Sequence, residues 1–175
     1  MKKIVLKCAR KLMFIMVAAS ALSGCVISRN IIVGISKDLE SYYDIYPSVE
    51  FNAAAVTGDE ADQIKNGGVD DYFSPGNAIK QSIEPFIAYF SEENTAPQEL
   101  HARSDYWSKW AGKKPEKLVF IANLPHPPAS PQDDPRLILI DIKKQFFEPN
   151  NIYIEIYPEK IVRVYKKPKD PQASK

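Results

Sequence analysis

The stretch Lys-Leu-Val-Phe-Ile-Ala-Asn at residues 117–123 carries apolar side chains on both faces of an extended chain. A short apolar run of this kind is typical of a strand at the centre of a sheet. Residues 136–142 form a second such run, and residues 48–56 alternate between apolar and polar side chains, as a half-buried strand does. The middle of the chain therefore predicts a core built from sheets.

Outward from this core, the sequence predicts further strands and a hairpin. The other candidate strands lie at residues 31–33, 83–90 and 98–102. Pro85 lacks a backbone N–H, which assigns its strand to a sheet edge. Residues 152–157 and 160–165 flank Pro158-Glu159 and predict a terminal hairpin. Six or seven strands with short helices in their connections predict an all-β fold of the β-sandwich class.

The helices are predicted as short insertions between strands. Thr57-Gly58-Asp59-Glu60 is a capping box, in which Thr57 is the N-cap and Glu60 is the third helical residue. Ser104 caps a second helix, on which Trp107 and Trp110 share one face. Their helical spacing favours core packing, and stacking on sugar rings is the alternative.

The first 24 residues differ from the rest and predict an export signal. Basic side chains crowd the first eleven positions, and no acidic residue occurs before Asp38. Residues 12–22 are then an apolar run, too short to span a bilayer, which needs about 20 residues. This order is typical of a secretory signal peptide. An amphipathic or buried helix is the alternative, but polar residues are missing from every face of the run.

The apolar run ends in Leu22-Ser23-Gly24-Cys25, which resembles the lipobox of bacterial lipoproteins. In that family a peptidase cuts before the cysteine, here between Gly24 and Cys25, and the thiol carries a diacylglycerol. The resemblance implies that Cys25 is lipidated and that acyl chains such as palmitate anchor the mature protein to a membrane. Val26 stands where inner-membrane lipoproteins of enterobacteria usually carry Asp. The resemblance therefore implies an outer-membrane protein that faces the periplasm.

These features divide the chain into four parts. They are a signal peptide at residues 1–24, a lipid-anchored tether at 25–47, a β-sandwich domain at 48–165 and a disordered tail at 166–175. The tail prediction rests on a polar, proline-containing composition at a chain terminus.

Charge and cysteine content exclude several functions. The chain has 23 Lys+Arg and 22 Asp+Glu, and removal of the leader leaves 18 basic and 22 acidic side chains. Without a clustered basic excess there is no case for a nucleic-acid partner. Cys8 leaves with the leader and Cys25 carries lipid, so the mature domain has no thiol for catalysis, zinc or iron–sulfur clusters.

The mature domain carries no recognisable catalytic motif, and the sequence predicts no enzyme, no metal site and no cofactor. His101 and His126 lack the spacing of a paired metal or catalytic site. Asp133-Asp134 could hold a cation, although adjacent acids in a loop are more often solvated. Residues 124–135 contain so many prolines that they cannot follow a regular hydrogen-bond ladder and are predicted to form an exposed loop.

The order of these elements resembles the small outer-membrane lipoprotein of type VI secretion systems. The landmarks are the strand at 48–56, Asp70-Asp71-Tyr72-Phe73, the strand at 118–122, Asp134-Pro135-Arg136 and the hairpin that ends at Tyr165. The resemblance implies a transthyretin-like β-sandwich with an added helical element and a long loop. It also implies docking on the periplasmic domain of an inner-membrane secretion protein, within a trans-envelope complex. The helix after Val56 and the proline-rich loop depart from the pattern.

Two functions of different class follow. As a lipid-anchored scaffold, the protein would bind its partner through residues 57–68 or 124–135. The candidate contact residues are Thr57, Asp59, Pro125, His126 and Asp133. As a periplasmic carbohydrate- or cell-wall-binding module, or as a cryptic hydrolase, it would rely on Trp107, Trp110 and the acidic side chains. The second function requires exposed indole rings, so burial of both rings would argue against it.

Overall fold

A computed structural model describes residues 28–124, 133–143 and 150–173 of the chain. The predicted signal peptide with Gly24, the lipidation site Cys25, and the loop residues Pro125 and His126 lie outside the described residues. Within the described ranges the chain forms eight strands in two four-stranded sheets. The strands are β1 (Asn30–Ile35), β2 (Val49–Val56), β3 (Phe86–Phe90), β4 (Gln98–Leu100), β5 (Lys117–Ala122), β6 (Leu137–Asp141), β7 (Asn151–Tyr157) and β8 (Lys160–Val164).

The two sheets have separate strand orders and form the predicted sandwich. Sheet A has the order β4-β1-β7-β8 and sheet B has the order β3-β2-β5-β6. Neighbouring strands are antiparallel except for β1 and β7, which pair in parallel from Asn30 with Asn151 to Ile35 with Ile156. The predicted all-β sandwich with helical insertions is confirmed, and the predicted terminal hairpin is β7 with β8.

Strand β5, which forms from the apolar run at residues 117–123, is buried on both faces. Its Phe120 ring stacks on Phe51 of β2, with ring centroids 6.3 Å apart, in the core between the sheets. Successive side chains of a strand point to opposite faces, so Ile121 points away from this core together with its cross-strand partner Asn52. The Asn52 side chain bonds Tyr72 of a helix, which shows that helices cover this second face. A strand between two layers needs apolar residues at every position.

Five short helices lie in the connections of the described chain. They are α1 (Asp38–Tyr43), α2 (Gly58–Gly67), α3 (Val69–Tyr72), α4 (Ala78–Ile83) and α5 (Asp105–Ala111). The predicted capping box is confirmed, because the Thr57 hydroxyl accepts from Glu60 N and the Glu60 carboxylate accepts from Thr57 N. Ser104 caps α5 as predicted. In the described part of the chain, no helix combines the length and apolarity needed to span a membrane.

The structure differs from the predicted boundaries at both termini. Residues 30–35, assigned to a tether, form β1, an inner strand of sheet A whose Ile31 and Val33 have no exposed surface. Residues 166–173, assigned to a disordered tail, pack across β1, where a Cβ placed on Gly34 would lie only 2.5 Å from Pro168 Cβ. The Thr95 hydroxyl donates to Asp170 over 2.7 Å and fixes the tail further. Glycine at position 34 creates the space that the tail occupies.

The strand predicted at residues 83–90 is shorter than expected. Its first residue, Ile83, instead ends α4, whose N-cap Asn77 accepts a hydrogen bond from Lys80 N. Glu84 then adopts a left-handed conformation with φ of 47° and turns the chain into β3, which begins at Phe86. The strand lies at the edge of sheet B, as Pro85 predicts.

Candidate protein-interaction surface

The connections between strands gather at two opposite ends of the sandwich. One end, which we call the hairpin end, consists of residues 36–48, 91–97, 123–124, 133–136 and 158–159. Hydrogen bonds join its segments, since Ile161 N donates to Pro135 O over 3.0 Å and Tyr46 N donates to the Glu92 carboxylate over 2.7 Å. The bond from Ile161 to Pro135 links sheet A to the start of β6 in sheet B. The two sheets therefore share this end of the sandwich.

The opposite end contains the point at which the described chain begins. This amino end consists of residues 28–29, 101–116 and 142–143. Asn30 holds it together, because its amide nitrogen donates to Asn151 and its amide oxygen accepts from Ala102 N over 2.8 Å. The helical connection at residues 57–85 covers sheet B and belongs to neither end.

Charge separates the two ends. The hairpin end has eight acidic residues, Asp38, Glu40, Asp44, Glu92, Glu93, Asp133, Asp134 and Glu159, and two basic ones, Lys37 and Arg136. The described amino end has six basic residues, Arg29, Arg103, Lys109, Lys113, Lys114 and Lys143, and two acidic ones, Asp105 and Glu116. The near-neutral charge of the chain therefore conceals an acidic end and a basic end.

A buried ion network fixes the hairpin end. Arg136, with a side chain only 3% exposed, donates from Nη2 to Asp134 over 2.7 Å and from Nη1 to Asp70 over 2.7 Å. Nη1 also donates to the Leu124 carbonyl over 2.9 Å. The hydrogen bonds to Asp134 raise the pKa of Arg136, although burial acts in the opposite direction. The Arg136 guanidinium thus connects Asp70 of α3 to Leu124 and Asp134, which flank residues 125–132.

A second polar chain attaches the helices to sheet B. The Tyr72 hydroxyl donates to Asn52 over 3.1 Å, and the Asn52 amide donates to Glu50 over 2.7 Å. Glu50 in turn pairs with Lys80 of α4 at 2.8 Å. Burial raises the pKa of the Tyr72 hydroxyl, with the Glu50 charge as a smaller cause. Because Tyr72 stays protonated, it remains a hydrogen-bond donor to Asn52.

The hairpin end also exposes apolar surface that the sequence reading missed. Tyr42 and Ile45 are each 58% exposed. The Tyr42 hydroxyl donates to Glu159 over 2.8 Å, and the Tyr43 hydroxyl donates to the Pro158 carbonyl over 2.8 Å. The bond to Glu159 raises the pKa of Tyr42. One signal for this surface was present in the sequence: Tyr42 and Tyr43 are adjacent aromatic residues in a segment predicted to be a tether. A tether has no core in which such residues could be buried.

The structure does not bring the predicted contact residues together. Asp133 is exposed at the hairpin end, whereas Thr57 and Asp59 follow the far end of β2. The Thr57 hydroxyl is committed to the capping box. Asp59 is exposed in the first turn of α2. Just beyond these two predicted loops, Asp70 pairs with Arg136 at 2.7 Å.

The aromatic residues on which a carbohydrate-binding module would rely are inside the protein. Trp107 is 4% exposed and Trp110 has no exposed surface, and their rings meet edge to face at 5.2 Å. The Trp110 indole N–H donates to the Glu84 carbonyl over 3.2 Å. Neither ring offers a face to a sugar, so the structure argues against that function. Within the described ranges, no group of three His, Cys, Asp or Glu side chains could hold a metal ion.

Comparison with known proteins places the fold. No protein-family model and no curated protein matches the chain. A solved structure described as the "T6SS protein TssM C-terminal domain (869-1107) from EAEC" is similar, with a TM-score of 0.51 and 10% identity over 78% of this chain and 99% of that chain. Serratia marcescens Lip, described as a membrane-bound component of the type VI secretion system, has a TM-score of 0.47 and 9% identity over 80% and 99%. The predicted resemblance is confirmed as a likeness of fold.

Proposed function

We propose that the protein is a lipid-anchored scaffold of the cell envelope, which binds an inner-membrane partner within a type VI secretion complex. Its sandwich fold, similar to that of a type VI secretion structure, and its lipobox-like Leu22-Ser23-Gly24-Cys25 both support this proposal. In this role the protein acts by binding and needs neither a catalytic residue nor a cofactor.

The observation that carries the proposal is the opposition between the two ends. Cys25 precedes the first described residue, Ser28, by three positions, so a lipid on Cys25 holds the amino end near the membrane. The hairpin end then points away from that membrane, towards a partner on the other side of the periplasm. An anchor and a contact surface at opposite ends suit a protein that bridges two membranes.

The chemistry of the hairpin end indicates what the partner offers. Exposed Tyr42 and Ile45 supply apolar contact area, and aromatic residues are enriched where proteins bind each other. The exposed acidic residues around them, including Asp44 and Glu93, favour a partner with a basic surface. We therefore expect complex formation to be faster at low salt. Glu92→Gln/Glu93→Gln should slow association several-fold and leave dissociation nearly unchanged.

The anchor is tested by the mass and location of the mature protein. Full-length wild type is expected in the outer-membrane fraction with a mature N-terminus at Cys25 that carries acyl chains. The Cys25→Ser variant should lack this mass and leave the outer membrane. If the Cys25→Ser variant remains membrane-bound with an uncleaved leader, the leader acts as a simple N-terminal membrane helix. The proposal that the protein is a lipoprotein is then wrong.

The contact surface is tested by photo-crosslinking in cells. A photoreactive amino acid at Tyr42 or Ile45 should capture an inner-membrane protein, whereas the same group at Ser108, which is exposed at the amino end, should not. Equal capture from both ends, or capture from Ser108 alone, contradicts the proposed direction of binding.

A further inference from the structure

An open cavity of about 510 Å³ lies at the hairpin end, between helix α1 and the turn that joins β7 to β8. Asp38 and Tyr42 of α1 line one side of it, and the other side is lined by Tyr157, Glu159 and Lys160. The hydrogen bond from the Tyr42 hydroxyl to Glu159 connects the two sides. The fold therefore brings two aromatic rings and two carboxylates from distant parts of the sequence to one small cavity.

The carboxylates of this cavity are accessible to a ligand. Asp38 and Glu159 are both exposed, and Asp38 makes no ion pair within the described residues. The Glu159 carboxylate accepts a hydrogen bond from Tyr42, and a carboxylate with two oxygens can accept further bonds. The pKa of Tyr157 is raised first by its bond to Glu155 and, to a lesser degree, by the charge of Asp38. The negative charge of Asp38 therefore acts inside the cavity.

A cation of the protein itself already lies against one ring of the cavity. Lys160 Nζ is 5.9 Å from the centroid of the Tyr157 ring, and a ring face attracts a cation within about 6 Å. In the described part of the chain, no cation lies over the ring of Tyr42, which is 58% exposed. Two carboxylates and one ammonium line the cavity, so one negative charge beside the Tyr42 ring is not compensated there.

We infer that this cavity receives an arginine side chain of the partner protein, stacked on the Tyr42 ring and paired with the Glu159 carboxylate. The inference rests on the proposed function and names the chemical group by which the partner is recognised. A planar guanidinium stacks on an aromatic face and donates hydrogen bonds from its edge at the same time, whereas an ammonium is a point charge without a face. The bond between Tyr42 and Glu159 holds a ring and a carboxylate side by side, which suits a guanidinium.

A bound arginine gives the cavity a different role from the other acidic residues of the hairpin end. Exposed charges at the rim of an interface, such as Glu93, change the rate of association. A charge pair enclosed between two proteins instead changes the rate of dissociation. We therefore expect Asp38 and Glu159 to set the lifetime of the complex, and the surrounding acidic residues to set how fast it forms.

The test titrates the chain without its lipid, residues 26–175, with Nα-acetyl-arginine methylamide. The ring signals of Tyr42 and Tyr157 are followed by NMR, and the largest shifts are expected at these two rings, with millimolar affinity. Nα-acetyl-citrulline methylamide has nearly the same shape without the charge and should bind about tenfold more weakly, because it loses the charge-assisted hydrogen bonds.

Two pairs of substitutions locate the binding. Asp38→Asn/Glu159→Gln should weaken the binding of the arginine derivative about fivefold, since both carboxylates of the cavity are neutralised. The matched variant Glu92→Gln/Glu93→Gln removes the same charge from the same end but outside the cavity, and it should stay within about twofold of wild type. Circular dichroism of each variant checks that the fold is intact.

Four results would overturn the inference. They are no binding of the arginine derivative at millimolar concentration, equal binding of the citrulline derivative, equal losses in the two pairs of variants, and shifts that spread over the acidic end without a maximum at Tyr42 and Tyr157. The assay needs neither a lipid nor a partner. Its failure therefore leaves the Cys25 and crosslinking experiments unaffected, and their failure leaves the arginine result interpretable.

Discussion

The two ends of this sandwich are stabilised by opposite means. At the amino end, buried aromatic rings pack against each other, with Trp110 against Trp107 and Tyr106. At the hairpin end, an ion pair is buried and an aromatic ring is exposed, with Arg136 inside and Tyr42 outside. Apolar packing tolerates changes of shape, whereas a buried ion network requires fixed partners. The hairpin end is therefore the one built to hold a defined contact geometry.

The largest expected effect comes from breaking the ion network. Arg136→Leu leaves the Asp134 carboxylate, whose side chain is 5% exposed, buried without its cation. Removing one partner of a buried ion pair costs about 3–5 kcal/mol of unfolding free energy. Denaturant unfolding monitored by tryptophan fluorescence measures this loss.

A matched pair of variants separates the buried charge from lost packing. Arg136→Leu/Asp134→Leu removes both partners and should recover most of the lost stability, because apolar replacement of a whole buried pair is often neutral. Asp70→Asn should cost at most about 1 kcal/mol, since the Asp70 side chain is 70% exposed. If the double variant is less stable than Arg136→Leu alone, the uncompensated charge is not the cause.

At the amino end, the two indoles should respond differently to the same change. Trp110→Phe removes the hydrogen bond to the Glu84 carbonyl, whereas the Trp107 indole N–H is buried without a partner among the described residues. Trp107→Phe removes an unsatisfied donor, so Trp110→Phe should be more destabilising by about 1 kcal/mol or more. Thermal unfolding of the two variants gives the comparison, and equal losses would contradict it.

Local sequence patterns predicted the inner strands and the helix caps of this fold. The features that were not predicted depend on contacts between residues far apart in the sequence. The run at 117–123 gives β5 because burial on both faces leaves a sequence signature. The parallel pairing of β1 with β7 leaves none, because Ile31 and Ile152 are far apart in the chain. The tail at 166–173 is polar and is ordered by Gly34 and Thr95, which its own composition cannot reveal.

For the candidate surface, too, local features could be predicted from the sequence and contacts between distant residues could not. Asp133 was predicted to lie in an exposed, proline-rich loop, and its side chain is exposed. Tyr42 and Glu159 were missed because they lie 117 residues apart and meet only through the fold. The separation of charge was likewise hidden, since each end draws its residues from several connections. Summed charge can be read from a sequence, whereas its arrangement requires the topology.

A smaller loss of stability is expected from a change in the helical layer that covers sheet B. Thr57 caps α2 at the far end of β2 from the ion network. Thr57→Ala removes the hydroxyl that accepts from Glu60 N and should cost about 1 kcal/mol. Asp59→Asn keeps the capping box and is the matched control, with a change of a few tenths of a kcal/mol expected from its position in the first turn. A loss above about 2 kcal/mol for Thr57→Ala would show that the residue does more than cap.

The smallest effect is a shift of one titration at the hairpin end. The Tyr157 hydroxyl donates to Glu155 over 2.8 Å, and this bond, with partial burial, raises the pKa of Tyr157 from 10.0 to about 12. The folded state binds this proton more tightly than the unfolded state, so the stabilisation is present below pH 10 and is lost as the pH rises from 10 to 12. Absorbance titration of wild type against Tyr157→Phe isolates the group, and Glu155→Gln should move its pKa back towards 10. An unchanged pKa in Glu155→Gln would assign the shift to burial instead of to the carboxylate.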